Sequence, residues 1–158
     1  MKLMIEQTMF FKSKMSSNKL IALDGDGVLL DYHEAYRHAW AKAFGKLPAL
    51  KDPLAYWPAA RWDVHYIDDP IEMKKFMACF DYEFWSTIPA LPGAIEACNK
   101  LVNEGYQLVC VTAIKEQNKQ ARLKNLQALG FPIDVVIATP INLNINNISP
   151  KAGALQNL

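Results

Sequence analysis

The residues best placed to do chemistry are the two acids of LIALDGDGVLLD, Leu20 to Asp31. Asp24 and Asp26 are separated by Gly25 and followed by Gly27. Glycines at these positions let the backbone turn sharply and leave its N–H groups free to approach an anion. Asp26, two positions after Asp24, can turn back toward the same cavity. A calcium loop also begins D-x-D, but it needs an oxygen ligand at its fifth position and Gly at its sixth. Val28 and Leu29 stand there, so a calcium loop is excluded. The plain alternative is a strand-ending turn with solvated carboxylates, since turns tolerate both residue types.

Asp24 owes its position to the element before it. Leu20–Leu23, Leu108–Val111 and Asp134–Ala138 are short, continuously apolar runs, as expected of strands buried on both faces of a parallel sheet. Between them, 94–103 and 116–129 have helical composition and end at Gly105 and Gly130. The alternation predicts an α/β fold, a doubly wound Rossmann-like parallel sheet, with Asp24 at the carboxyl edge where such sheets bind ligands. From 32 to 91 the character changes: 33–44 and 71–85 look helical, and prolines at 48, 53, 58 and 70 lie among tryptophans and tyrosines. This predicts a small helical cap inserted into a core of 18–31 and 92–158, because a structureless loop of that length is uncommon. Residues 1–17 are read as an N-terminal extension, with Met15 as an alternative start.

Composition narrows the partners. At 158 residues and 51% hydrophobic, the chain suits one domain with a substantial core. Seventeen basic and sixteen acidic side chains nearly cancel, so charge favours neither nucleic acid nor an anionic membrane, and a small molecule is the natural ligand. Cys79, Cys98 and Cys110 form no metal or CxxC spacing, as expected of reduced thiols in a cytoplasmic protein. The opening MKLMIEQTMFFKSK, interrupted by Glu6 and Gln7, has no clean apolar run of export-signal length, and no segment approaches the roughly 20 apolar residues of a membrane span.

The motif around Asp24 resembles the first motif, D-x-D-G-[TV], of the haloacid dehalogenase-like hydrolase superfamily. LVCVTA, ending its apolar run at Thr112, is similar to the second, and Lys151 in ISPKAGAL to the third. Order and spacing agree over about residues 18 to 158, the cap falling between the first two motifs. The resemblance implies a Mg²⁺-dependent phosphatase with an aspartyl-phosphate intermediate: Asp24 as nucleophile, Asp26 as acid and then base, and Lys151 beside Asp24 and phosphate. It implies Thr112, Ala113 and Gly25 as phosphate donors, and Asp24 with the Asp26 carbonyl as metal ligands. An acid at 26 argues for phosphoryl transfer over dehalogenation, because a halide leaving group needs no proton. Independently, Ser149 suits an N-cap and Pro150 the first helical position, which puts Lys151 in the first turn. A cation there opposes the helix dipole, which suits a side chain serving a ligand; the alternative is a solvated lysine.

The match breaks after Lys151. The superfamily's fourth motif, an acidic pair after a further strand, has no counterpart in the seven residues Ala152 to Leu158. A shortened form of a longer protein is therefore expected, with weakened metal binding and a bare edge on the first strand. A second copy of the chain or the apolar residues Leu3 to Phe11 would cover that edge. Asp68-Asp69 resembles the missing pair, but Pro70 follows at once, and a turn with a helix cap is the expected reading. In the cap, Arg61 is a candidate anion contact, and Trp57, Trp62 and His65 a candidate stacking surface for a nucleotide; packing of the cap is the alternative role. The substrate expected is a small phosphorylated metabolite or nucleotide. A non-catalytic phosphate-binding or interaction module is the competing class.

Overall fold

The computed structural model describes residues 19–140, 149–156 and 158. Strands β1 (Leu20–Leu23), β2 (Gln107–Ala113) and β3 (Val136–Thr139) form a parallel sheet in the order β1-β2-β3. Leu23 pairs with Cys110, and Thr112 with Ala138, so β2 runs past the end of β1. Parallel strands need crossovers long enough to hold helices, and α5 (Ala94–Asn103) and α6 (Lys119–Ala128) occupy the two crossovers. This is the α/β architecture expected. β2 is buried at each of its five inner positions, as its unbroken apolar run requires. A last helix, α7 (Pro150–Leu155), packs on β2 and β3.

Between β1 and α5 come α1 (Tyr32–Phe44), α2 (Pro58–Arg61), α3 (Pro70–Met77) and α4 (Tyr82–Ser86). Asp31 caps α1 by accepting the Glu34 N–H at 3.0 Å, and Gly45 ends it in the left-handed region. The expected continuous helix over 71–85 is two helices. The chain breaks after Ala78 because Asp81 starts a new N-cap, accepting the Phe84 N–H at 2.9 Å. Asp69 caps α3 through the Ile71 N–H at 2.8 Å, the role expected of a turn acid.

One hydrophobic cluster runs from the sheet into this insertion, joining Leu108, Cys110 and Val136 to Trp40, Phe76 and Phe84. Tyr36, Phe76, Phe80 and Phe84 meet in successive ring contacts of 4.7 to 5.3 Å between centroids. Burial of a side chain as large as Phe is worth about 1.5–3 kcal/mol, so this ladder ties the insertion firmly to the core. The two connections to the insertion are also laced together. The Asp31 N–H donates to the Pro89 carbonyl at 2.8 Å, and the Leu91 N–H to the Leu29 carbonyl at 3.0 Å. Within the described sheet β1 pairs with β2 alone; Leu3 to Phe11, expected over its other edge, lie outside the described residues.

Candidate functional site

The chain leaves β1 at Asp24 and folds at once into a closed loop. The Gly25 carbonyl accepts the N–H groups of Leu29 and Leu30 at 3.0 and 2.9 Å, and the Gly27 N–H donates to the Leu30 carbonyl at 2.9 Å. Gly27 sits at φ 79°, a conformation that side chains with a Cβ rarely take. Gly25 is required for a different reason. A Cβ there would come within 3.0 Å of Thr112 Oγ1 and 3.5 Å of Arg122 Nη1, closing the space between the loop and the two side chains beneath it.

Asp24 uses both carboxylate oxygens. Oδ1 accepts the Gly25 N–H at 2.7 Å, and Oδ2 meets Lys151 Nζ in a close ion pair. Lys151 stands in the first turn of α7, whose N-cap Ser149 accepts the Ala152 N–H at 3.2 Å. The two residues are 127 positions apart in the chain. Both side chains keep more than a third of their surface exposed, at 37% for Asp24 and 36% for Lys151. A ligand can therefore reach the pair.

Asp26 pairs with a different cation. Its Oδ1 lies 2.8 Å from Arg122 Nη2, and the guanidinium is wholly buried. At that distance the two charges are in direct contact, and Arg122 Nε and Nη1 have no hydrogen-bond partner among the described residues. Burial pushes the Asp26 carboxyl above its ordinary range, and the charge of Arg122 opposes that rise. A carboxylic acid displaced upward is suited to proton transfer.

Thr112 lies beyond the end of β1 on β2, 1% exposed, with its hydroxyl toward Gly25 and its carbonyl accepting from Thr139 Oγ1 at 3.3 Å. Ala113 ends the strand beside it. Asp24, Gly25, Asp26, Thr112, Ala113 and Lys151 thus gather at one end of the sheet. No contact among the described residues ties Arg61 to this group. Arg61 Nη1 donates to the Pro53 carbonyl, and its charge, after burial, helps to lower the pKa of His33. Trp62 and His65 differ in exposure: His65 is exposed and its Nε2 lies 3.4 Å from Glu72 Oε2. Trp62 is buried, bonded through Nε1 to the His33 carbonyl at 2.8 Å, and His65 lies edge-on to Trp40 with centroids 4.9 Å apart. Trp57 is 70% exposed.

Arg122 is the site residue that sequence reading missed. The apolar residues of α6 do not concentrate on one face, so its burial with Ala121, Asn125 and Leu126 was not readable from the sequence. For a cation ligand, the partly exposed Asp24 carboxylate is a hard oxygen donor. Among the described residues, no cluster of three or more His, Cys, Asp or Glu side chains forms. Mg²⁺ generally keeps several waters and takes one or two carboxylates together with substrate phosphate, and Asp24 is a carboxylate that such an ion could reach.

No protein-family model matches the chain, and no curated protein resembles it in sequence. Among solved structures it is similar to the class C acid phosphatase from Bacillus anthracis, at 14% identity and a TM-score of 0.42 over 85% of this chain. The same phosphatase with tungstate bound aligns at 16% identity and 0.42 over 87%. A protein described as a beta-phosphoglucomutase from Thermotoga maritima aligns at 22% identity and 0.44 over 76% of this chain and 61% of that one. The chain spans about half the length of the acid phosphatase, 46%. Among the described residues no helix is long and apolar enough to cross a membrane.

Proposed function

We propose that the chain is a phosphatase of the haloacid dehalogenase-like type, hydrolysing a small phosphate monoester such as a phosphorylated metabolite or nucleotide. The observation that carries this reading is the meeting of Asp24 with Lys151 at the end of β1, with Thr112 and Asp26 beside them. A carboxylate is repelled by a phosphate dianion, so attack requires positive charge and directed donors at the phosphoryl oxygens. Lys151 supplies charge, and Thr112 and the backbone at Gly25 and Ala113 are the neighbouring polar groups. Mg²⁺, held by the Asp24 carboxylate and the Asp26 carbonyl, would neutralise further phosphoryl charge.

In the first half-reaction an Asp24 oxygen forms a bond to phosphorus in line with the leaving oxygen. The ester P–O bond breaks, and Asp26 gives its proton to the departing alkoxide. In the second, Asp26 takes a proton from water as that water cleaves the aspartyl phosphate, which releases phosphate and restores Asp24.

The test is hydrolysis of p-nitrophenyl phosphate by the folded chain across a Mg²⁺ titration. Turnover that requires Mg²⁺ and disappears in Asp24→Asn is the expected result. A folded chain with no turnover at saturating Mg²⁺, or activity that survives in Asp24→Asn, overturns the reading.

A further inference from the structure

Arg122 is the charged side chain to which the proposed chemistry gives no task. A guanidinium keeps its charge in any protein environment, so complete burial demands a fixed counter-charge. Asp26 provides it at 2.8 Å. On the side of the insertion, the Arg122 Cζ lies 5.4 Å from the centroid of the Trp85 indole. Trp85 is itself held by its Nε1–H bond to the Phe80 carbonyl at 3.1 Å and by stacking on Tyr32 at 6.2 Å. Arg122 is thus clamped between an aromatic face and the loop after β1. Asp26 keeps 27% of its side chain exposed while Arg122 has none, so the carboxylate is the member of the pair that can meet a ligand.

We infer that Arg122 is a positioning residue, holding the Asp26 carboxylate at the end of β1 so that the proton-transferring group is oriented before substrate arrives. This rests on the phosphatase reading for its chemistry, but the pairing of Arg122 with Asp26 does not. The attraction of opposite charges at 2.8 Å is part of the hold, so another cation retains part of it.

Two substitutions separate positioning from mere support of the fold. Arg122→Met preserves an apolar stem and removes the charge, while Arg122→Lys keeps the charge. With p-nitrophenyl phosphate and Mg²⁺, Arg122→Met is expected to lower kcat about 10- to 100-fold with KM little changed, and Arg122→Lys to recover part of the loss. In an Asp26→Asn background, Arg122→Met is expected to lower the residual kcat no further. Equal losses in both backgrounds, or an unchanged kcat in Arg122→Met, overturn the inference. Thermal unfolding of wild type, the two single variants Arg122→Met and Asp26→Asn and their double needs no turnover. Non-additive midpoints are expected, and additive ones show that Arg122 does not act through Asp26. A folded wild-type chain that hydrolyses nothing defeats the phosphatase reading alone, and the midpoints then still decide the pairing.

Discussion

Asp24 and Asp26 are two residues apart, yet each meets its cation in opposite surroundings. On one side of the loop Lys151 reaches Asp24 from a short helix, with both side chains more than a third exposed. By contrast, Arg122 meets Asp26 from inside the core, against Trp85 of the insertion. The difference is one of exchange. A cation with access to solvent can trade a carboxylate for a phosphoryl oxygen at small cost, because water and ligand compensate for what it leaves. A buried guanidinium has no such replacement, so it stays with its acid and constrains that acid's geometry. One side of the loop is suited to binding and the other to holding still.

Four substitutions and one labelling experiment test that contrast, beginning with the largest effect. Asp24→Asn is expected to cost at least about 10⁴-fold in turnover of a phosphate ester in steady-state assays, as loss of a nucleophile does. Lys151→Ala is expected to lower turnover about 10²- to 10³-fold while changing unfolding free energy by less than about 1 kcal/mol in urea titrations. Arg122→Ala should destabilise by about 3 kcal/mol in the same titrations, since it leaves a cavity and an uncompensated carboxylate. Equal stability losses for the two alanine variants would erase the distinction between the sides.

Smaller effects report on the supports of the Arg122 side. Asp81 caps α4, the helix that carries Trp85, and the Phe84 N–H, with help from Lys42, holds its carboxyl below the ordinary value of 3.8. A depressed carboxylate contributes stability above that value and loses it as pH falls through the lowered one. Asp81→Ala should therefore cost about 1 kcal/mol at neutral pH in thermal or urea unfolding, with the penalty vanishing in strong acid. Cys110 lies under both ion pairs, and burial pushes its thiol up to about 12. At pH 8 it should resist alkylation in the folded protein and react once the sheet is unfolded, which mass spectrometry would read directly. Labelling of the native protein at that pH would mean that the floor of the site opens to solvent.

How much of this was legible in the residues depends on the range of the interaction concerned. The run LIALDGDGV announces a strand end and a tight turn because apolar continuity and glycine act locally, and β1 and the loop stand where that pattern puts them. Ser149-Pro150-Lys151 announces the first turn of a helix for the same reason. The break at residues 78–81 was harder to read. The composition of 71–85 favours a continuous helix, and only the competing Asp81 cap divides it. Arg122 had no such cue, because α6 lacks a clear apolar face in sequence, and no local feature names its partner.

Sequence by itself determined the sheet's strands, the turn that carries both acids and the cap that carries the lysine, all through interactions spanning a few residues. Tertiary structure brings Lys151 against Asp24, 127 positions away, as the motif resemblance implied, and it alone decided that Arg122 would lie sealed beneath Asp26. The physical reason is that a charge takes its meaning from its surroundings: the same carboxylate chemistry, two residues apart, becomes exchangeable where water can reach it and fixed where packing excludes it.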